Sequence, residues 1–577
     1  MRIHNIIIKT ILAATLGISL TACESMDLVP KSQGNTASWY TTETELKLAT
    51  NEFYILGYWQ EPLNSSEQWC DNTTYRQQNR NPGSNGCVLD GTLNGQQYEV
   101  YALWQQSYKL IARANTMLEN IHKATVPEIQ KNRYAGEAYF ARACKYADLT
   151  FFYGDVPYMD HSLTITEAEN NGRMPIAEVK KRTYEDFDKA IEYLPVSYSS
   201  GSHIHATKGA ALAMKARYAL YMHDFNIAES CAKACIDLGV YSLYPSYSEL
   251  FLQQTKNVSE KIFVLPRSIE NNVVLDSWIV KNALPRNAGG YGSYNPSWDL
   301  LASYLCTDGL PIDESPLFDP HNPFKNRDPR CAMTIVEFGT NHCGFEFDPS
   351  PAAKEIMNYT TGKKQSNQDT RIVAQYTSYN GLLWKKGIDA SWMENGLNVE
   401  QDYIIMRYAD LLLIYAEALI EQNKDLDAAA DAINQVRSRA YGVSKSQTDM
   451  YPTVKAIDQT QMRKAVRIER RMEMAMENQR LQDLMRWDLA EKALNGYNYI
   501  LLMDPNEVLT EVVNKGNWFW GMTPMIDEDG LADFSALFNA GLCTTGAKRI
   551  FPSRQMLWPI PTHDMELCPS LVNNPGY

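Results

Sequence analysis

Residues 132–159 read NRYAGEAYFARACKYADLTFFYGDVPYM, and the fold is decided by what this stretch does. At 3.6 residues per turn, Gly136, Phe140, Ala143, Ala147 and Phe151 share one face, flanked by Tyr139, Tyr146 and Tyr153. Glu137, Arg142, Lys145 and Asp148 fall opposite. The small residues Ala135, Gly136, Ala138, Ala141, Ala143 and Ala147 let neighbouring helices approach closely, which a helix inside a stack requires. Gly154 then breaks the helix and Pro157 prevents its resumption.

Two helical hairpins lie outward from this segment. Residues 206–220 and 225–238 form the first, with Leu212, Phe225, Ala228 and Ala232 at positions where tetratricopeptide repeats carry apolar or small residues. Residues 404–421 and 426–439 form the second, and Leu413, Leu426, Ala429 and Ile433 each follow their counterparts by 201 residues. Such repeats cannot bury a face alone and must stack. The two hairpins and the 132–153 helix are therefore expected to build one superhelical scaffold. Arg407, Asp410, Glu417 and Glu421 share a face of the strongly apolar 404–421 segment. Charges there need partners, and Arg467, Arg470, Arg471 and Arg480 on a helix over 461–487 are candidates for a buried network.

Between the hairpins, residues 251–402 lose the helical period, and asparagine, glycine, proline and aromatics take over. This reads as a loop-rich lobe containing Trp278, the run Gly289-Gly-Tyr291-Gly-Ser-Tyr294, Trp298, Trp384 and Trp392. Glycines beside aromatics suit a flat ligand, whereas a phosphate loop would need a GK[ST] motif and a preceding apolar strand. A second polar and aromatic insert, 58–97, separates the helices expected at 44–57 and 98–124 and carries Trp69, Asp71, Asn72, Tyr75 and Arg76.

The chain has 577 residues, a formal charge of −14, 34 tyrosines and 12 tryptophans, more large rings than a core requires. An acidic balance argues against nucleic acid as a partner. Arg2 and Lys9, the apolar run 11–20 and the Leu20-Thr-Ala-Cys23 sequence read as a secretion signal, 1–22, ending in a lipobox that would acylate Cys23, with 23–38 as a tether. The apolar run falls short of the about 20 residues that span a bilayer. Ten further cysteines then lie in a disulfide-permissive compartment, and Cys70 with Cys87 and Cys331 with Cys343 are the better pairs. Cys231 and Cys235, one turn apart, read as buried small hydrophobes.

Several short motifs occur in a fixed order: Gly136-Glu-Ala138 with Gly154-Asp-Val-Pro157, Thr307-Asp-Gly309, Arg327-Asp-Pro-Arg330, Arg407-Tyr-Ala-Asp410 with Tyr415-Ala-Glu-Ala418, Glu469-Arg-Arg471 with Asp483-Leu-Met-Arg-Trp487, Leu557-Trp-Pro-Ile-Pro561 and Asn574-Pro-Gly-Tyr577. Together they resemble the SusD/RagB family over nearly the whole chain beyond the leader. Gln479 departs from the pattern, since the family often has histidine there. The resemblance implies an all-α fold of four repeat-like helix pairs with a loop-rich lobe, here over 39–250, 251–402 and 403–577. It further implies a lipid-anchored, surface-exposed protein of the outer membrane that sits as a lid on a SusC-like, TonB-dependent barrel. Such a protein captures oligosaccharides, or in some members peptides, without cleaving them.

From the residues themselves, sugar rings stack on tryptophan and tyrosine beside a few amides. The expected ligand-binding residues are Trp69, Asn72, Tyr75 and Arg76 from the insert and Trp278, Tyr291 and Tyr294 from the lobe. An exported glycoside hydrolase is the rival reading and needs two carboxyls about 5 to 10 Å apart in the aromatic cleft. A protein-binding scaffold is the third. No catalytic residue and no cofactor are expected. Asp527, Glu528, Asp529 and Asp533 offer oxygen ligands of the kind calcium takes, but they lack a full twelve-residue loop and read as a solvated acidic turn.

Overall fold

The computed structural model describes residues 39–61, 66–82, 87–198 and 204–577, so the reading of Cys23 and the tether lies outside the described residues. The main helices are α1 (Glu43–Asn51), α2 (Tyr98–Asn120), α3 (Glu128–Tyr153), α4 (Ile176–Tyr193), α5 (Lys208–Tyr221), α6 (Phe225–Asp237), α7 (Tyr408–Glu421), α8 (Leu426–Ala440) and α9 (Gln459–Met474). From α2 to α6 each helix packs on the next. Helix α7 then closes against α5 and α6, with α8 and α9 beyond it. Ala138, Ala143, Ala216, Ala228, Leu413, Ala429 and Ile433 share one core, so the two hairpins stack as the repeat argument requires.

Helix α3 runs through the middle of this stack. A Cβ on Gly136 would stand 3.0 Å from the Tyr193 Cβ, which is how closely α4 approaches. Gly154 ends the helix at φ 71°, ψ −118°, a conformation that a side chain resists. The side opposite the apolar face is not a solvent face: Glu137, Arg142 and Lys145 are buried. Each has a partner, as burial demands. Arg142 grips Asp186 with two bonds of 2.7 Å. Glu137 accepts from the Tyr54 hydroxyl at 2.6 Å. The Lys145 ammonium donates to Asp148 at 2.7 Å and lies 4.2 Å from the Trp59 ring centre.

Among the described residues the strands form only small sheets: four of two strands and one of four. Those used below are β1 (Thr73–Tyr75), β2 (Lys261–Leu265), β3 (Tyr294–Pro296), β4 (Thr340–His342), β5 (Phe345–Phe347), β6 (Glu355–Asn358), β7 (Lys363–Ser366) and β8 (Tyr403–Arg407). Strands β2 and β8 pair antiparallel, Leu265 opposite Tyr403, so the chain between them leaves the scaffold and returns at a single neck. Strands β4 to β7 form the antiparallel sheet of this lobe. Trp298, Trp384 and Trp392 are buried in the lobe's core, which also takes in Phe519, Trp520 and Phe534 from the carboxy-terminal region. These three tryptophans of the lobe are thus packing residues.

Arginine–carboxylate networks tie lobe to scaffold. Arg330 bonds Asp328, Glu469 and Glu473; Arg407 bonds Glu260, Glu473 and Glu477; Arg437 and Arg439 complete the set from α8. Asp410 is held by Arg217 and Arg470, Glu417 by Arg486, and Glu421 by Arg463. Arg471 and Arg480 both reach Asp71 in the insert, whereas Arg467 lies over the Trp487 ring. The 461–487 segment is not one helix. It breaks after Met474, where Met476 (φ 67°) and Asn478 (φ 61°) turn the chain and the Asn478 amide donates to Glu67 at 3.1 Å. The ten described cysteines are all free and buried. Cys70 and Cys87 point instead to the Glu67 carbonyl (3.2 Å) and the Glu99 carboxylate (3.5 Å), so the two proposed disulfide pairs do not form.

Candidate functional site

The insert and the lobe meet through backbone pairing. Strand β1 runs antiparallel to β3, with Thr73 opposite Pro296, Thr74 opposite Asn295 and Tyr75 opposite Tyr294. A third segment, 376–380, lies across this ribbon. The Tyr379 amide donates to the Arg76 carbonyl at 3.2 Å, and the Asn380 side-chain amide donates to Thr74 Oγ1 and the Pro296 carbonyl, both at 2.7 Å. The run 291–293 is laced to the helix Ser277–Ala283, the Ser293 amide donating to the Asn282 carbonyl at 2.8 Å. Gly290 is needed for that approach, since a Cβ there would stand 2.2 Å from the Leu284 carbonyl oxygen. That glycine serves the protein's own packing and not contact with a ligand.

The result is an aromatic face. Trp278, 57% exposed, meets Tyr291 edge to face at 5.7 Å between ring centres, and Tyr75 meets Tyr294 at 5.8 Å. The Arg80 guanidinium lies over Tyr75 at 5.0 Å. Arg76 Nη1 donates to the carbonyls of Tyr291 (3.3 Å) and Tyr376 (3.2 Å), joining the two loops. Beside it, Arg76, Gln77, Gln78, Asn79, Gln375, Tyr376, Thr377 and Tyr379 line a cleft of about 190 Å³. Tyr376 is 61% exposed at its edge. Arg371 stacks on the Tyr379 ring at 3.7 Å; burial draws its guanidinium below the ordinary value, and Tyr379 and Asp504 offset part of that. Burial likewise raises the Tyr294 hydroxyl.

Of the seven residues expected from sequence, Tyr75, Arg76, Trp278, Tyr291 and Tyr294 come together here, although Tyr294 is itself buried, 8% exposed. Trp69 and Asn72 lie in the interior. Trp69 is 5% exposed and packs on Trp558 at 5.2 Å. Asn72 donates to Glu67 at 3.1 Å and accepts from Arg471 at 3.3 Å. Tyr376, Tyr379, Gln375 and Arg371 escaped the sequence reading. Their signal is a second run of amides and rings, Gln375-Tyr-Thr-Ser-Tyr-Asn380, in a segment without a period. A larger cavity of about 610 Å³ lies elsewhere, between α2 and the helix Thr562–Leu567, but its walls, Trp104, Ala112, Leu163, Ile165 and Leu571 among them, are mainly apolar and offer a polyol few partners.

The acidic turn already holds a cation. The Lys492 ammonium lies 2.8 Å from Asp527 and 3.3 Å from Glu528, and it also bonds Asp529. Asp533 stands apart and accepts from Ser535. Asp410, Glu417 and Glu421 are all occupied by arginine, which leaves no open carboxylate pair on α7.

Residues 260–577 match the profile described as the SusD family. The chain belongs to that family. Residues 35–220 match a second SusD-like profile, described as starch-binding associating with outer membrane. SusD-like protein P2 of Formosa agariphila is 25% identical over 490 residues, covering 82% of this chain and 90% of that protein. The crystal structure of a SusD-like carbohydrate binding protein from Bacteroides fragilis superposes with a TM-score of 0.75 at 27% identity, covering 92% of this chain and 99% of the other. A laminarin binding SusD-like protein shares the fold, with a TM-score of 0.65 at 19% identity over 93% of this chain and all of the other. The expectations of a SusD-like helical scaffold are met. No helix of the described residues is long and apolar enough to cross a membrane.

Proposed function

We propose that the protein binds oligosaccharides on the face built by Trp278, Tyr291, Tyr75, Tyr294 and Tyr376, without cleaving them, and delivers them to a SusC-like, TonB-dependent barrel. Acylated Cys23 would hold it at the outer surface of the outer membrane. The observation that carries the reading is the convergence, through β1 and β3, of the exposed rings of Trp278 and Tyr376, the half-buried rings of Tyr75 and Tyr291 and amides from separate loops, with Tyr294 buried against Tyr75. Rings present flat apolar faces to sugar C–H groups while the amides take the hydroxyls. The carbohydrate-binding description of the Bacteroides fragilis relative supports the ligand class.

Titration calorimetry of the full chain in detergent, against panels of oligosaccharides and of peptides, tests this. Trp278→Ala is expected to lose at least tenfold in saccharide affinity, about 1.4 kcal/mol, with its melting temperature unchanged. Peptide binding without saccharide binding would replace the ligand class, and saccharide release on incubation would make the protein an enzyme. Cys23→Ala is expected to move the protein from the membrane to the soluble fraction in cells lacking the barrel. Retention would refute the anchor.

A further inference from the structure

Most arginines placed above face a carboxylate. Arg76 and Arg371 do not. Among the described residues neither has a carboxylate within ion-pair distance, although the chain carries a net charge of −14. Arg76 spends Nη1 on two backbone carbonyls, and its buried Nε has no partner. Arg371 gives Nη1 to the Leu502 carbonyl at 2.9 Å and Nη2 to that of Met503, and its Nε is also buried and unpartnered. Carbonyl oxygens orient a guanidinium without neutralising it.

The two cations flank one residue. Tyr379 bonds the Arg76 carbonyl through its amide, carries Arg371 on its ring and lines the cleft with Gln77, Gln78 and Asn79. The carboxylates nearby leave both charges unanswered. Asp369 accepts from the amides of Arg286 and Asn287. Asp276 caps the helix Ser277–Ala283. Asp504 faces Arg371 only from beyond ion-pair distance. Partly buried cations without a counter-ion are costly to hold, and an anion arriving with a ligand would offset that cost.

We infer that the saccharide taken by this face carries an anionic group, a uronic carboxylate or a sulfate ester, which Arg76 and Arg371 neutralise while the rings and amides hold the sugar. This rests on the saccharide-binding reading above and narrows its ligand class. A guanidinium matches both anions through paired N–H donors, so the two sources share one chemistry and the experiment must separate them.

The test is calorimetry on the full chain with matched probes: tetragalacturonate against its carboxyl-reduced neutral form, and a sulfated carrageenan tetrasaccharide against its desulfated form. In at least one pair the anionic member is expected to bind about tenfold tighter or better, as a charge-assisted hydrogen bond provides. That preference should shrink as salt rises from about 50 to about 500 mM. The pair that responds identifies the anion. Arg76→Gln and Arg371→Gln should each reduce the preference, the anionic member losing clearly more affinity than its neutral counterpart. Equal affinity within both pairs overturns the inference and leaves the saccharide reading standing. A loss that is the same for both members of a pair makes the arginines positioning residues only, and also overturns it. No binding of any probe, with a panel of other saccharides equally silent, sinks both. Should either variant fail to fold, the salt dependence of the unaltered protein decides.

Discussion

Replacing Glu473 by glutamine preserves the side chain's shape and removes one charge from a position that is 0% exposed. Three guanidiniums share this carboxylate: Arg330 at 2.9 Å, Arg407 at 2.6 Å, and Arg439. In the intact network Arg330, Lys386, Arg407, Arg437 and Arg439 balance Asp328, Glu260, Glu469, Glu473 and Glu477, so the variant strands one positive charge in the interior. At an effective dielectric constant near 20, each close pair contributes about 4 kcal/mol of attraction. Relief of the carboxylate's own desolvation, several kcal/mol, cancels much of the total, which leaves a net loss of about 3 to 5 kcal/mol. Followed by tryptophan fluorescence in urea at pH 7, with a slope of about 3 kcal/mol per molar, the unfolding midpoint should fall by about 1 M. A second substitution that removes the stranded charge, Arg407→Met, should recover part of the loss. A midpoint shift of under about 0.2 M, the size of an ordinary surface change, would refute the claim that this network holds the lobe to the scaffold.

The remaining expectations are simpler to check. Trp69→Ala should cost about 3 to 5 kcal/mol in the same urea assay while leaving saccharide affinity unchanged, because the ring packs on Trp558 in the interior. Stability should fall in acid. Burial alone would raise the Asp410 carboxyl, but Arg217 and Arg470 outweigh it and lower it to about 2. Burial is outweighed in the same way at Glu473, where Arg439, Arg407 and Arg330 hold the carboxyl well below the usual range. Folded values below the unfolded ones mean that this stability is fully present above about pH 4 and lost as pH falls toward 2, which melting curves between pH 5 and pH 2 will show. A flat profile over that range would contradict it. Calcium and chelator should give equal melting temperatures, because Lys492 already lies among Asp527, Glu528 and Asp529. A shift of several degrees would mean that calcium displaces the ammonium.

The helical scaffold was legible because its cause is local. Alanine and glycine recurring along 132–153 require close neighbours, and the 201-residue offset between the hairpins announces two copies of one packing unit. The need for partners on Asp410, Glu417 and Glu421 was legible too, since charges on an apolar helix must be satisfied. Arg470 was among the candidates, Arg463 and Arg486 come from the same 461–487 segment without having been singled out, and only Arg217 was supplied from elsewhere, by α5.

For the proposed binding face, sequence alone determined which loops are rich in rings and amides, because those stretches lack the period that would assign them to one side of a helix or strand. It could not sort one ring from another. Trp69 and Trp278 sit in stretches of similar composition, yet one packs on Trp558 from the far end of the chain and the other stays 57% exposed beside Tyr291. Exposure is decided by which distant segment arrives to cover a ring, and that was decided only by tertiary structure. The pairing of β1 with β3 and the crossing of both by 376–380 depend on backbone hydrogen bonds, which every residue but proline can donate and which leave no mark in the order of side chains.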